Sequence, residues 1–341
     1  MTKPRLSICI ATYNRAGYIG ETLESMISQV TDEVEIVVVD GASTDNTSTV
    51  VNSYVCKCPQ LRYIRLSAKG GVDQDYCKAV ELAQGEICWL FPDDDLLKPY
   101  AIKTVLEEAT KGYSLIVVNA QLMNKDLSKI IADRLLQMNA NEIYSESELD
   151  QLFQRIITYI SFIGCVVVNR DLWLQREKER YFGTEFIHVG VIFQSPLPAP
   201  ALVIAEPYIA IRYGNAQWTN RAFEIGMIKW PNLLWSFGHI SEQVRQEHTL
   251  SKPWRKLQRI IVFRSKGEYS LKEYQKWFSL KDLPVYFMIA ALLIALTPSS
   301  LLNFALLSFL KTVRKDKLIT IYDLENNKYN KCRPLSGKKF S

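Results

Sequence analysis

Residues 85–95 read GEICWLFPDDD, in which an apolar segment runs directly into three consecutive aspartates. Ile87–Phe91 is apolar throughout, as a strand buried on both faces of a parallel sheet requires. Ligands of open parallel sheets bind at the carboxyl ends of the strands. Asp93, Asp94 and Asp95 would repel one another there unless neutralised, and Mg²⁺ or Mn²⁺ takes such oxygen ligands together with substrate phosphates. The alternative is a solvated acidic turn that caps the next helix.

Two strands predicted earlier in the chain also end in polar side chains. They are Leu6–Ala11 and Glu35–Val39, and the residues that follow them are Thr12, Tyr13, Arg15 and Asp40. A carboxylate at this edge accepts hydrogen bonds from a nucleobase or a ribose, while Tyr13 or Arg15 can stack on or pair with a nucleotide. The sequence contains neither GxGxxG after the first strand nor GxxxxGK[ST], which disfavours dinucleotide dehydrogenases and P-loop kinases. A phosphate-bearing ligand held through a metal is the favoured interpretation.

Strands and helices alternate over the first 120 residues, which predicts an α/β fold with a mostly parallel, Rossmann-like sheet and helices on both faces. The other predicted elements of this part are helices over 19–30, 43–54, 76–84 and 99–112 and strands at 61–66 and 115–119. The middle is less regular. It predicts a helix over 150–160, a strand at 163–169, and one or two strands over 201–213 broken at Pro207.

The net charge of +5 is unevenly distributed along the chain. Residues 1–241 carry 22 basic and 28 acidic side chains, whereas residues 242–341 carry 19 basic and 8 acidic ones. A basic C-terminal third on an acidic body predicts an anionic surface as partner. We expect a membrane surface and no nucleic acid, because the basic residues surround a long uncharged segment.

That uncharged segment is residues 283–310. Pro298 divides it into pieces too short to cross a bilayer separately, which favours a re-entrant hairpin or two helices in the membrane interface. The flanking basic residues are Lys272, Lys276, Lys281, Lys311, Arg314, Lys315 and Lys317. Upstream, Trp254 and Ile260 share the apolar face of a predicted basic amphipathic helix. A buried helical hairpin within a homo-oligomer is the alternative.

The cysteines and the N-terminus indicate a reducing compartment. Seven cysteines are an odd number, and Cys9 and Cys88 lie inside predicted buried strands, which argues against a disulfide framework. Residues 1–4 lead straight into the first strand, so no signal peptide is expected. With the basic, apolar C-terminal region, these features predict a peripheral or monotopic protein on the cytoplasmic side of the inner (plasma) membrane.

Four motifs occur in a characteristic order. They are SICIATYNR at 7–15, EIVVVDGASTDNT at 35–47, Gly85-Glu86 after a helix, and the strand end Asp94-Asp95. Together they resemble glycosyltransferase family 2, a family of GT-A fold that uses nucleotide sugars. Lys69–Asp95, with Gly183-Thr184 and His188, is similar to its abequosyltransferase-like O-antigen branch in particular.

The resemblance implies a role for each matching residue. Thr12 and Asp40 would contact the nucleoside, and Asp73 would face the diphosphate or the donor sugar. The aspartate triplet stands at the family's metal-binding DxD motif. Asp95, together with Asp93, would then bind Mn²⁺ or Mg²⁺, with Asp93 or Asp94 directed toward the ribose or the sugar.

The family is inverting, which implies one displacement at the anomeric carbon and a base that takes the proton of the acceptor hydroxyl. Many relatives supply this base from a Glu-Asp pair, and this chain has no such pair at the matching position. His188 is the natural candidate because the pKa of histidine is ordinarily near neutral. Glu185 is the second candidate, and a core or helix-capping role is the alternative for His188.

The predicted organisation is a GT-A nucleotide-sugar-binding catalytic domain over 1–215, with a nucleotide half at 1–120 and an acceptor half at 121–215. A Trp-rich, basic, helical region follows over 216–341. The predicted function is metal-dependent, inverting transfer of a sugar from a nucleotide sugar to a lipid-linked saccharide in the assembly of a cell-surface polysaccharide. A sugar nucleotidyltransferase and a non-catalytic GT-A scaffold at the membrane are the alternatives.

Overall fold

A computed structural model describes residues 3–215, 221–278 and 283–330. Trp218, Lys281 and Asp282 lie outside the described residues. The chain forms two compact units, Met1–Asn215 with Leu233–His248, and Ala216–Asn232 with Thr249–Ser341. Residues 233–248, which the sequence analysis placed in the C-terminal region, therefore pack within the first unit. The reason is aromatic packing, because the ring of Phe237 lies 6.4 Å from Phe153 and 6.3 Å from Phe193.

The first unit is built on one sheet, to which ten strands contribute in the described part of the chain. The strands are β1 Leu6–Thr12, β2 Val34–Asp40, β3 Leu61–Arg65, β4 Ile87–Phe91, β5 Leu96–Leu97, β6 Leu115–Met123, β7 Ile130–Ala132, β8 Glu142–Tyr144, β9 Val166–Asn169 and β10 Ala201–Arg212. Their order is β3-β2-β1-β4-β9-β6-β10-β5, with β7 paired to β6 and β8 to β10.

The helices follow the strands in alternation and then form the C-terminal unit. They are α1 Ile19–Ile27, α2 Thr47–Val55, α3 Val72–Leu82, α4 Ala101–Ala109, α5 Leu149–Ile156, α6 Arg170–Gln175, α7 Ile187–Phe193, α8 Ala222–Glu224, α9 Trp230–Trp235, α10 Glu242–His248, α11 Leu257–Lys266, α12 Leu271–Trp277, α13 Val285–Leu296, α14 Ser299–Val313 and α15 Leu318–Asn326. The α/β class predicted from the alternating pattern is confirmed.

The sheet is mixed. Strands β1 to β4 run parallel to one another, whereas β9 is antiparallel to both β4 and β6. Strand β10 runs parallel to β6 as a single strand, with register shifts on either side of Pro207. Proline lacks the N–H that a regular ladder needs, so the chain accommodates it in a bulge and continues. The predicted break at Pro207 is thus a local irregularity.

The strand register places the polar strand ends side by side. Thr12 pairs with Asp40 across β1 and β2, and Ile10 pairs with Phe91 across β1 and β4. Because these strands are parallel, the two residues after Phe91 bring the chain level with Thr12 at Asp93. The carboxyl edge of β1, β2 and β4 therefore collects all three predicted polar clusters.

The C-terminal unit is helical and has its own core. Phe223, Tyr269 and Phe278 are buried there, with further core residues at Met227, Trp254, Ile260, Leu283, Phe287, Ala291 and Ala295. Within the described residues, no single helix has both the length and the apolar composition to cross a bilayer. The helices α13 and α14 meet these criteria only as a pair, and that pair is bent by 97°.

Candidate active site

The end of β2 holds Asp40 in a fixed orientation. Asp40 is fully buried, and its Oδ1 accepts a 2.7 Å hydrogen bond from the backbone N–H of Ser43. Its Oδ2 accepts a 2.5 Å hydrogen bond from the hydroxyl of Tyr63, whose pKa is raised by burial and by this carboxylate. Thr12, the register partner of Asp40, is also buried. Such fixed acceptors suit recognition of a nucleoside.

A second carboxylate, Asp75, lies beside Asp40 and was not among the residues singled out from the sequence. Burial raises the pKa of Asp75 to about 6, with repulsion from Asp40 adding to this and Lys69 opposing it. Its Oδ1 is buried and has no hydrogen-bond partner within the described part of the chain. Its Oδ2 lies close to Gly41, where a Cβ would approach it to 2.6 Å. An unpaired buried acceptor of this kind is costly in free energy unless a ligand donates to it.

Helix α3 connects the separate parts of the edge. Asp75 faces the end of β2, and the hydroxyl of Tyr76 donates a 3.0 Å hydrogen bond to the carbonyl of Phe91, the last residue of β4. Burial raises the pKa of Tyr76, and the three aspartates that follow β4 add to this. Asp73, one turn earlier, holds the 183–187 loop. One helix therefore contacts the end of β2, the strand that leads into the aspartate triplet, and that loop.

The aspartate triplet is buried and is bridged by Arg15. The guanidinium of Arg15 lies 3.2 Å from Asp93 through Nε and 3.1 Å from Asp94 through Nη2. Asn215 donates a 2.9 Å hydrogen bond to Asp94. The backbone N–H of Arg212 donates a 2.7 Å hydrogen bond to Oδ1 of Asp95. The end of β10 thus closes over the triplet, a contact between residues 117 positions apart.

Electrostatic repulsion within the triplet is only partly neutralised. Burial raises the pKa of Asp93 to about 7, the charge of Asp94 raises it further, and Arg15 opposes both. Burial also raises the pKa of Asp95 well above its usual range, again with Asp94 contributing. The site therefore favours additional positive charge or protons.

These donors fit a divalent cation of the Mg²⁺ or Mn²⁺ type. They offer carboxylate oxygens, the ligands that these ions prefer, and burial raises the pKa of each of the three carboxyls. In residues 3–215, 221–278 and 283–330, no three or more His, Cys, Asp or Glu side chains are grouped so as to hold a metal ion. Mg²⁺ sites commonly use one or two carboxylates and complete their shell with waters and substrate phosphates.

The two candidate bases occupy different environments. His188 is buried in α7, its Nε2 lies 2.8 Å from the carbonyl oxygen of Ile160, and burial lowers its pKa to about 4. Glu185 is half-buried in the loop before α7 and has a left-handed backbone with φ of 71°. A non-glycine residue rarely adopts this conformation, and it is held here by the surrounding structure.

Asp73 supplies that support. Its Oδ2 accepts a 3.0 Å hydrogen bond from the backbone N–H of Glu185, and its Oδ1 accepts one of 3.1 Å from that of Ile187. Asp73 is itself buried, which raises its pKa to about 6. These contacts direct the carboxylate of Asp73 to the protein backbone, whereas the resemblance implied a contact with the diphosphate or sugar. That predicted contact stays a prediction.

The structure brings most of the predicted residues together. The predicted residues at the edge of β1, β2 and β4 are Thr12, Arg15, Asp40, Asp93, Asp94 and Asp95. Tyr13 lies nearby along the chain, with the ammonium of Lys69 3.6 Å from its ring centre. His188 is turned to the backbone of Ile160 instead. Asp75 and Arg212 were missed, although the position of Asp75 two residues after Asp73 at a helix start was a usable signal.

Comparisons with known proteins agree with this geometry. Residues 7–173 match the family model described as Glycosyl transferase family 2. The chain is 28% identical over 232 residues to abequosyltransferase RfbV of Salmonella typhimurium, covering 62% of this chain and 67% of that one. It is 27% identical over 139 residues to the GalNAc(5)-diNAcBac-PP-undecaprenol beta-1,3-glucosyltransferase of Campylobacter jejuni, covering 40% of this chain and 45% of that one.

A solved structure shows the same architecture. The crystal structure of S. aureus TarS 1-349 in complex with UDP-GlcNAc superposes with a TM-score of 0.60 at 16% identity, covering 94% of this chain and 90% of that one. At this identity the likeness concerns the fold, and it confirms the predicted GT-A type.

Proposed function

We propose that the chain is a family 2 glycosyltransferase, which transfers a sugar, with inversion, from a nucleotide sugar to a lipid-linked saccharide in cell-surface polysaccharide assembly. The observation that carries this proposal is the convergence of Asp40, Asp75 and the aspartate triplet on one sheet edge, joined by α3. Five carboxylates at the ends of neighbouring strands provide acceptors for a nucleoside and ligands for a cation that holds phosphates.

The nucleoside would lie against the ends of β1 and β2. Asp40, oriented by Ser43 and Tyr63, accepts a donor from the base or ribose. The free acceptor Oδ1 of Asp75 takes a second donor from the same ligand. Gly41 leaves the space that a side chain would fill between the ligand and Asp75.

The diphosphate would lie over the aspartate triplet. Asp95 and Asp93 are the residues that would hold Mn²⁺ or Mg²⁺, with Asp94 fixed by Arg15 and Asn215. A divalent ion bound there neutralises the charge of the departing nucleoside diphosphate. Arg15 keeps the carboxylates of Asp93 and Asp94 in place, so the site is organised before substrate binds.

We assign the base to Glu185. The acceptor hydroxyl oxygen attacks the anomeric carbon, the bond from that carbon to the diphosphate oxygen breaks, and the Glu185 carboxylate takes the hydroxyl proton. We favour Glu185 over His188, because the Nε2 of the buried His188 lies 2.8 Å from the carbonyl oxygen of Ile160 and burial lowers the pKa of His188 to about 4. The hydrogen bonds from the loop to Asp73 fix the backbone of Glu185.

The proposal of a lipid-linked acceptor rests on the names of two relatives and on the C-terminal helices. The Campylobacter jejuni relative is named for an acceptor linked to undecaprenyl diphosphate, and the Salmonella typhimurium relative is named an abequosyltransferase. The chain carries an apolar pair of helices, α13 and α14, with basic residues at its end. Both features support the proposal that the acceptor is a lipid-linked saccharide, bound at the cytoplasmic face of a membrane.

The test is transfer by the purified full chain. UDP-, GDP-, CDP- and dTDP-sugars are each incubated with Mn²⁺ or Mg²⁺ and an undecaprenyl diphosphate-linked saccharide, and nucleoside diphosphate release is measured. We expect one donor to release nucleoside diphosphate, Glu185→Gln and Asp95→Asn to abolish it, and the exposed-site control Asp133→Asn to retain it. Release of pyrophosphate from a nucleoside triphosphate and a sugar 1-phosphate, supplied in a parallel assay, would instead establish a nucleotidyltransferase. No release from any donor would overturn the proposal in favour of a scaffold.

A further inference from the structure

The two longest apolar helices of the C-terminal unit carry their large side chains on the outside. The outer face, as we call it, consists of the exposed residues Val285, Tyr286, Ile289, Leu293 and Leu296 of α13 and Leu301, Phe304, Phe309 and Val313 of α14. Each is between 52% and 76% exposed. Large apolar side chains exposed in this number on two consecutive helices indicate a site of interaction.

The inner faces of the same helices are buried, with Phe287, Ala291 and Ala295 on α13 and Asn303, Leu307 and Leu310 on α14. Ala291 and Ala295 of α13 are buried in the core of the unit with Ile260 of α11. Asn303 of α14 is buried and donates a 3.3 Å hydrogen bond to the carbonyl of Ser265, also in α11. Both helices therefore pack on α11, and the outer face points away from it.

Two threonine hydroxyls along this surface are bonded to backbone carbonyls of the preceding helical turn. The hydroxyl of Thr312 donates to the carbonyls of Ser308 and Phe309 at 3.0 Å each, and that of Thr297 donates to the carbonyl of Leu293 at 2.8 Å. Hydroxyls bonded in this way can enter a hydrocarbon environment at low cost, because no donor is left without a partner.

The lengths of the helices define how they can meet a bilayer. The 12 residues of α13 and the 15 of α14 span about 18 and 22 Å at 1.5 Å per residue. The hydrocarbon core is about 30 Å thick, so neither helix reaches across it. The 97° bend between them likewise suits two helices lying in one leaflet.

A basic rim adjoins the outer face. Residues 309–319 contain four basic side chains and one acidic one, and they alternate with exposed apolar residues. The basic residues are Lys311, Arg314, Lys315 and Lys317, all exposed. Such a segment places apolar side chains among acyl chains and cations among anionic headgroups. Protein interfaces, in contrast, are depleted of lysine.

We propose that the outer face inserts into one leaflet of an anionic lipid bilayer, with the basic rim against the headgroups. The proposal names the residues by which the enzyme would bind the membrane. It rests on the proposed function in one respect, namely that the acceptor lies in the same membrane. Each large apolar side chain moved from water into the acyl region stabilises the bound state, and each rim cation adds an electrostatic contribution.

Vesicle flotation tests the proposal without donor or acceptor, so its result does not depend on the proposed reaction. The full chain is floated with vesicles of phosphatidylcholine plus phosphatidylglycerol and with vesicles of phosphatidylcholine alone. We expect binding to the anionic vesicles and a loss of more than about tenfold in the double variant Leu293→Gln/Phe304→Gln. The matched control Ile130→Gln/Ile143→Gln, which changes exposed residues of the first unit, should bind as the wild type does.

The charged rim is tested by Lys315→Gln/Lys317→Gln, which should weaken binding to anionic vesicles by about fivefold per charge and leave binding to phosphatidylcholine unchanged. Circular dichroism checks that every variant is folded. Failure of the wild type to float would overturn the proposal. So would a dimer in vesicle-free buffer that Leu293→Gln/Phe304→Gln dissociates, because the outer face would then be covered by a second copy of the chain.

Discussion

The backbone N–H of Glu185 donates a 3.0 Å hydrogen bond to Oδ2 of Asp73, which lies 112 positions earlier in the chain. The other oxygen of Asp73 accepts from the N–H of Ile187 at 3.1 Å. A single buried carboxylate therefore holds the backbone on both sides of Phe186. It also holds Glu185 in the left-handed conformation, which is unfavourable for a residue other than glycine. In the proposed mechanism, Asp73 is therefore a positioning residue for Glu185.

Asp73→Asn is expected to lower kcat while leaving the KM for the nucleotide sugar nearly unchanged. The amide keeps one acceptor oxygen but presents an NH₂ group to the second backbone N–H, so one of the two loop hydrogen bonds is lost. Misplacement of a base by about 1 Å costs up to about a hundredfold in rate. Steady-state kinetics measure the effect, and hydrogen exchange at residues 185 and 187 reports the loosened loop. Unchanged exchange together with unchanged kcat would contradict the positioning role.

We expect binding of the nucleotide sugar to be coupled to the loss of a proton from Asp75. Its pKa is raised to about 6 mainly by burial, and its Oδ1 has no partner in the described part of the chain. A ligand that donates to this oxygen stabilises the charged form and lowers the pKa, so binding near pH 6 should release a proton. The affinity of the protein for the nucleotide sugar should therefore fall as the pH falls through about 6. Titration calorimetry of an intact nucleotide sugar, in buffers that differ in ionisation enthalpy, measures the release.

The variant Asp75→Asn should bind the same nucleotide sugar without that proton release. Asp133→Asn, an exposed aspartate of the first unit, is the matched control and should keep it. If Asp75→Asn releases as many protons as the wild type does, another group titrates and Asp75 does not contact the ligand.

We expect Arg15 to compete with a divalent ion for the aspartate triplet. Its guanidinium lies within 3.2 Å of both Asp93 and Asp94, and its charge opposes the rise in their pKa values. Arg15→Met removes that charge, so Mn²⁺ should bind about tenfold more tightly while turnover falls. Electron paramagnetic resonance of free Mn²⁺ measures the binding constant directly. Arg62→Met, which removes an arginine 2.9 Å from the buried Glu35, is the control and should leave Mn²⁺ binding unchanged.

Local signals made part of this site predictable from the sequence. Asp40 and Asp93 each follow an apolar strand directly, and parallel strands end at one edge, so their proximity follows from the fold class. Arg212 could not be found in this way, because it reaches Asp95 from a strand 117 positions later, through a backbone N–H that any residue supplies. The environment of His188 was equally hidden, because burial in α7 and the hydrogen bond to Ile160 arise from tertiary packing.

The close approach of Gly41 and Asp75 provides a steric test of the proposed nucleoside site at the end of β2. A Cβ at Gly41 would lie 2.6 Å from Oδ2 of Asp75, closer than side-chain atoms approach one another. Gly41→Ala should therefore destabilise the fold by about 1–3 kcal/mol and weaken nucleotide-sugar binding. Gly17→Ala, where a Cβ would meet no atom within 4 Å, is the matched control.

The double variant Gly41→Ala/Asp75→Ala decides whether this contact is the cause. Removing the carboxylate clears the space, so the double variant should recover most of the stability that Gly41→Ala loses, with a coupling free energy of about 1–2 kcal/mol. Binding should not recover, because the acceptor Oδ1 has gone with the side chain. Urea unfolding measures the stability and calorimetry the binding. Additive losses in stability would show that the two residues do not meet in the folded protein.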